Sequence, residues 1–182
     1  MSLRLIATSV ICMRLGVLKE PEGETRVAIV PKSLRKLSKS GLEVIIESNA
    51  GVSANHHDSE YEENGAIVST RLEVLKSPLL ISINLPEISE LHSGQVIACV
   101  ADPFRHPEKV QACIDAGVTL LSMDMIPRRL SRAQSMDVNS SQDNLAGYKA
   151  VLLGAASVPK GIPMMTTSAG TVRPAKVVIM GS

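Results

Sequence analysis

Aromatic side chains are almost missing from this chain: among 182 residues there is no tryptophan, one phenylalanine (Phe104) and two tyrosines (Tyr61 and Tyr148). Proteins that read single-stranded nucleic acid stack bases on aromatic platforms, so that class is disfavoured. Charge of one sign is missing as well. Nineteen Lys and Arg nearly balance eighteen Asp and Glu, with no long basic or acidic block, which argues against nucleic acid or an anionic membrane as a direct partner. No apolar run is long enough to span a bilayer, so direct membrane insertion is not expected. Cysteine is sparse and odd in number, and Cys12, Cys99 and Cys113 lack metal-type spacing. Cys99 and Cys113 lie in apolar contexts, as reduced core thiols of a cytosol-like compartment do. The adjacent pair His56-His57 has no third nitrogen ligand at a useful spacing and reads as surface loop, so no metal site is expected. Neither a G-x-S-x-G elbow nor a Ser-His-Asp order is present.

What the chain does have is aliphatic runs alternating at short intervals with helical patterns. Strands are expected at 14–18, 43–47, 67–68, 79–83, 95–100 and 118–122. Short helices are expected from Pro31 to Gly41, from Asp58 (as N-cap) to Gly65, and over 71–76, 86–91 and 107–116. The strands are continuous apolar runs, which suits strands covered on both faces. A doubly wound, mostly parallel α/β sheet of Rossmann or flavodoxin type is the predicted fold. A helix over 145–157 follows, then a loop with Pro159, Gly161, Pro163 and Gly170, and a last strand at 176–180. That strand runs into Gly181, the residue type that often opens a dinucleotide-binding turn. The expected organisation is an extension over 1–12, a first domain over 13–140, a connecting helix and loop over 141–174, and the truncated start of a second, NAD-binding Rossmann domain over 175–182.

One stretch is unusually polar. Between Met123 and Val151 lie Arg128, Arg129, Arg132, Gln134, Asp137, Ser140, Ser141, Gln142, Asp143 and Asn144, with almost no apolar periodicity. An arginine fork can clamp a carboxamide, carboxylate or phosphate. A glutamine offers both donor and acceptor to an amide or a ribose hydroxyl. Such a loop can orient a polar ring without acid–base chemistry. It can equally be a capping loop for the following helix, with Ser140, Ser141 or Asp143 as caps. The charged stretch Lys19–Arg26 is likewise either a solvated loop or part of an active cleft.

The motifs go further. Gly16-Val-Leu-Lys-Glu20, Arg26-Val-Ala28 with Pro31, the run VIIESNAG at 44–51, Asp58, Tyr61, Gly65-Ala66, Met125-Ile-Pro127, the run SRAQSMD at 131–137, Ser140-Ser141, the run NLAGYKA at 144–150, Ala169-Gly-Thr171 and Pro174-Ala-Lys176 together carry a resemblance. From Met13 onward the chain resembles the nucleotide-binding alpha subunit of the proton-translocating NAD(P) transhydrogenase family, which shares a superfamily with alanine dehydrogenase. The resemblance implies that Arg129, Leu130, Ser131, Gln134, Asp137, Asn139 and Ser140 contact NAD(H), with Gln134 serving the hydride-transfer step and bridging toward the second nucleotide. One residue more than usual separates Pro127 from Gln134. Counting back from Gln134 makes Arg129 the loop arginine and counting forward makes it Arg128; Arg129 is preferred.

The resemblance also implies an activity: Re/Si-specific hydride transfer from NADH to NADP+, coupled to proton translocation. NADP(H) would be held by a partner component. The expected partners are those NADP(H)-binding and membrane components and a second copy in a homodimer. The expected place is the cytoplasmic face of the inner membrane, or the matrix side in an organelle, reached peripherally through partners. These 182 residues alone are expected to bind NAD(H) weakly or not at all and to turn nothing over. Two alternatives are a non-catalytic dimerisation or docking module and an alanine dehydrogenase-like oxidoreductase. The second needs a lysine and a histidine. The lysine slot holds Asn84, and the matching histidine stretch, Cys99 to Pro103, contains none. Hydride exchange between two nicotinamides needs no such pair.

Overall fold

The computed structural model describes residues 13–127 and 129–180. The expectations for the extension over 1–12, for Arg128 and for Gly181 lie outside the described residues. The chain divides after Met136 into two compact units.

The first unit is built on a parallel sheet. Its strands are β1 (Met13–Val17), β2 (Leu42–Glu47), β3 (Ile67–Ser69), β4 (Leu79–Asn84), β5 (Val96–Val100) and β6 (Thr119–Ser122), in the order β3-β2-β1-β4-β5-β6. This is the doubly wound α/β fold that the apolar runs predict. Helices α1 (Leu34–Lys39), α2 (Asp58–Glu63), α3 (Arg71–Val74) and α4 (Pro107–Asp115) lie in the connections. Successive side chains of a strand point to opposite faces, and the core splits accordingly. Leu15, Val17, Val44 and Ile46 belong to one buried cluster, and Ile45, Leu80, Ile97 and Cys99 to the other. Between Leu15 and Val17, Gly16 has no room for a side chain. A Cβ there would lie 2.8 Å from the Val74 carbonyl oxygen and 2.8 Å from Leu80 Cδ2.

Local punctuation explains most of the boundaries. Gly41, Gly65 and Gly117 follow α1, α2 and α4 with positive φ of 80°, 93° and 68°, the left-handed conformation that ends a helix cheaply only at glycine. Asp58 is not the N-cap of α2; His57 is, and the Glu60 carboxylate reaches back to accept its N–H at 3.1 Å. The Asp58 carboxylate instead accepts the Asn49 N–H at 2.9 and 3.0 Å, pinning the turn after β2. Tyr61 on α2 is fully buried and donates its hydroxyl to the Ile29 carbonyl at 3.0 Å. Burial pushes that phenol up to about 12 and leaves it a neutral donor.

The second unit differs from expectation in three places. Its helix α5 runs over Val138–Ser157, so the polar residues 138–144 are its first turns rather than a loop. The loop after it contains a small antiparallel hairpin of β7 (Met165–Thr167) and β8 (Gly170–Val172). Residues 176–180 form no strand; a strand exists only through pairing, and no neighbour is offered here. No helix among the described residues is long and apolar enough to cross a membrane.

Candidate functional site

The strand order reverses direction between β1 and β4. In doubly wound sheets, ligands bind in the crevice outside the carboxyl ends of the strands flanking such a reversal. A crevice of about 280 Å³ lies there. Leu18 to Pro21 line it from the loop after β1, Glu47 from the end of β2, Ser82 and Asn84 from β4, and Arg71 and Glu90 from the crossover segments. Of the charged stretch that begins at Lys19, residues Lys19 to Pro21 line this crevice.

Several of the charged side chains in the crevice have fixed partners. Glu20 is buried, and its carboxylate accepts the Ile83 N–H at 2.5 Å, the Asn84 N–H at 3.0 Å and the Asn84 carboxamide at 3.0 Å. Arg71 makes a fork with Glu90, Nε to Oε1 at 2.8 Å and Nη2 to Oε2 at 2.6 Å, and reaches Glu47 through Nη1 at 3.0 Å. Bidentate arginine–carboxylate pairs are the strong, geometrically specific kind. The Glu90 hydrogen bond raises the Arg71 pKa, and the Arg71 hydrogen bond lowers that of Glu90, so both stay charged at neutral pH. Asn84, whose carboxamide is tied to Glu20, has no proton to exchange near neutral pH. The crevice can orient polar groups, but the position expected to hold an acid–base lysine cannot move a proton.

Sequence reasoning missed Glu47, Arg71 and Glu90. They stand 24 and 19 residues apart along the chain, and each reads singly as an ordinary surface charge. Only the topology brings them together.

The polar loop comes after β6. A 3-10 turn, Met123–Met125, leads to Pro127, and a second, Gln134–Met136, ends the first unit. Between them the backbone is tied by Leu130, whose carbonyl accepts the Ala133 N–H at 2.8 Å and the Gln134 N–H at 3.2 Å. Arg129, Leu130, Ser131 and Gln134 are all exposed. No hydrogen bond ties down the Gln134 carboxamide among the described residues, and the backbone beneath it is fixed by the Leu130 carbonyl. Leu130, Ala133 and Met136 instead face an open apolar groove of about 650 Å³, shared with Leu121, Met123 and Met125.

Asp137, Asn139 and Ser140 open α5 in the second unit. Asp137 is the N-cap, not Ser140, Ser141 or Asp143 as expected, because the helix begins at Val138 and takes those three residues into its first turns. The Asp137 Oδ1 accepts the Ser140 N–H at 3.0 Å and its Oδ2 the Ser140 hydroxyl at 2.6 Å. Ser141 donates to the Asp137 carbonyl at 3.3 Å. Some of the polar run thus does the capping work that any helix start requires.

Three further groups bear on chemistry. The Cys99 thiol is buried, and desolvation pushes it up to about 12. Cys113 is raised for the same reason. Both are therefore protonated and poor nucleophiles. Asp102, in the turn after β5, has a positive φ of 46° although it is not glycine, a conformation costing roughly 1–3 kcal/mol. Among the described residues no group of three or more His, Cys, Asp or Glu is placed to hold a metal ion.

Comparison with known proteins gives a consistent result. Residues 16–146 match the family described as alanine dehydrogenase/PNT, N-terminal domain. A protein of Rhodospirillum rubrum, named as the first portion of NAD(P) transhydrogenase subunit alpha, is 39% identical over 180 residues, covering 93% of this chain and 47% of that protein. Alanine dehydrogenase 1 of Staphylococcus aureus is 31% identical over 147 residues, covering 79% of this chain and 38% of that protein. Among solved structures, the transhydrogenase from Sinorhizobium meliloti superposes with a TM-score of 0.84 at 39% identity, over 89% of this chain and 50% of that one. The chain spans about half the length of these transhydrogenase relatives.

Proposed function

The chain belongs to the alanine dehydrogenase/PNT N-terminal domain family, and from that premise we propose that it is the N-terminal portion of the NAD(H)-binding alpha subunit of a proton-translocating NAD(P) transhydrogenase. The parent activity is Re/Si-specific hydride transfer from NADH to NADP+, with NADP(H) and the proton path on partner components. The subunit docks peripherally on the cytoplasmic, or matrix, face of the membrane through those partners and pairs as a homodimer.

The observation that carries the choice within the family is Asn84. At the mouth of the crevice its carboxamide is bound to Glu20, where amino-acid oxidation requires a titratable base. Hydride passes directly between two nicotinamide carbons, so the protein need only hold the rings at contact distance and exclude water. Exposed groups on a fixed loop suit that work. Arg129 offers a fork, Leu130 and Ser131 offer contact and a hydroxyl, and Gln134 offers a carboxamide matching that of nicotinamide. Asp137, Asn139 and Ser140 are the further proposed contacts to NAD(H). Asp137 keeps its cap while doing so, because a carboxylate has about four acceptor positions.

Gln134→Asn in the parent subunit, assembled with its partners, tests the reading. Shortening the side chain by one methylene should slow hydride transfer roughly 10- to 100-fold and weaken NADH binding much less. Equal losses in rate and binding would remove the assigned role. A second measurement addresses residues 1–182 alone. NADH titration should show no saturation up to about 1 mM, a binding free energy weaker than about −4 kcal/mol, and no turnover with NADP+. Tight binding by these residues would contradict the proposal.

A further inference from the structure

We propose that Asp124 is a positioning residue for hydride transfer, bracketing the turn after β5 to the segment after β6 and so fixing the base from which residues 127–134 leave the sheet. The proposal rests on the reading of the Arg129–Gln134 loop given above.

Asp124 lies in the 3-10 turn directly behind β6, three residues before Pro127. Its carboxylate reaches back across the sheet end to the strand beside it. Oδ1 accepts the Ala101 N–H at 3.3 Å and Oδ2 accepts the Asp102 N–H at 3.0 Å. The Ser122 hydroxyl, at the end of β6, donates to Oδ1. One side chain thus ties the last residue of β6 and the first two residues after β5 to a single point.

What it holds is strained. Asp102 has a φ of 46° and precedes Pro103, and the proline ring biases its predecessor toward extended backbone. On the far side the Asp102 carbonyl accepts the Arg105 N–H at 3.1 Å and the His106 N–H at 2.9 Å. Strain of this kind persists only where the surroundings over-determine it, and it clusters where geometry matters to function. Glycine would adopt this backbone without steric strain. The chain instead uses an aspartate and a charged clamp, and the clamp is anchored in the segment that leads to the nicotinamide loop. Loosening it should let the loop's base wander. Binding would survive that better than the alignment of two rings, because small misplacements are amplified in rate.

A merely structural role makes a different prediction, and one pair of variants separates the two. The assembled parent enzyme is made as Asp124→Ala and as Asp124→Ala with Asp102→Gly. The glycine removes the strain but cannot rebuild the bracket. In the single variant the hydride-transfer rate should fall about tenfold or more, with the Kd for NADH within about twofold and faster amide exchange at Ala101 and Asp102. In the double variant thermal stability should return while the rate stays low. An unchanged rate in the single variant, or a rate that recovers along with stability in the double variant, overturns the proposal. Asp124→Asn, which keeps the shape and one acceptor, serves if the alanine variant does not fold; it should show the same split in milder form. Gln134→Asn run alongside separates the two claims. If it leaves hydride transfer untouched, the loop reading has failed; if it slows transfer while the Asp124 variants do not, only the bracket has failed.

Discussion

The two compact units of this chain use their apolar residues in opposite ways. In the first, Ile46, Leu80 and Ile97 are fully buried between sheet and crossovers. In the second, none of the 20 residues of α5 is buried. Leu145, Tyr148 and Leu152 form a stripe at helical spacing, yet they are 62%, 68% and 48% exposed. The four residues Val177–Met180 are between 63% and 92% exposed. The difference teaches that periodicity specifies which element forms and which side of it is apolar, but not what covers that side. A sheet strand gains its stability from neighbours already present. A helix gains most of its stability in a protein from packing an apolar face against a neighbour.

The comparison can be broken most forcefully by matched truncations. Leu80→Ala in β4 should destabilise the chain by about 2–5 kcal/mol, the range for deleting a large side chain from a packed core. Leu152→Ala in α5 should change stability by less than about 0.5 kcal/mol. Urea unfolding of residues 1–182 measures both. Similar costs at the two sites would mean that the stripe on α5 is covered in solution.

Glycine gives the next contrast. Gly16 sits under the Val74 carbonyl and Leu80, so Gly16→Ala should cost about 1–3 kcal/mol through overpacking. Gly147 lies within α5 and an added Cβ there meets nothing within 4 Å. Gly147→Ala should therefore stabilise α5 by up to about 1 kcal/mol through helix propensity alone, read as increased helicity by circular dichroism. A loss of helicity at position 147 would show that the helix backbone is held against something the stripe conceals.

The same contrast explains what could be read from the residues. The sheet was legible because each strand is a short aliphatic run and most helices stop at a glycine that the structure places at positive φ, as at Gly41, Gly65 and Gly117. The sequence also singles out Arg129 and Gln134, in and just before the SRAQSMD run, and the structure places both on the surface. The start of α5 was not legible. Asn139, Ser140, Ser141, Asp143 and Asn144 compete locally with helical hydrogen bonding and read as loop, but one cap at Asp137 starts the helix seven residues before Leu145. The ties among Glu47, Arg71 and Glu90, and from Asp124 to Asp102, were not legible either. They join residues far apart in sequence, and no local pattern marks a side chain whose partner is supplied by topology.

The smallest expected effect concerns a charge pair inside the loop after β1, between the buried apolar anchors Leu18 and Ile29. Glu24 receives Arg26 three times: the backbone N–H and Nε reach Oε1 at 2.9 Å each, and Nη2 reaches Oε2 at 2.6 Å. The Arg26 side-chain hydrogen bond, acting against burial, holds the Glu24 carboxyl down to about 2 from its ordinary 4.5. A carboxyl lowered by folding stabilises the native state above its unfolded value. As pH falls, the unfolded chain takes up the proton first, so this contribution is complete above about 4.5 and fades toward about 2. The Glu24 carboxyl carbon should therefore titrate by NMR with a midpoint near 2, and Arg26→Ala should return it toward 4.5. A midpoint near 4.5 in the unaltered chain would mean that the fork is open in solution. The loop along the crevice would then keep its other ties, the Glu20 carboxylate on Ile83 and Asn84 and the Lys19 N–H on Glu47, but lose the fork that closes its far end.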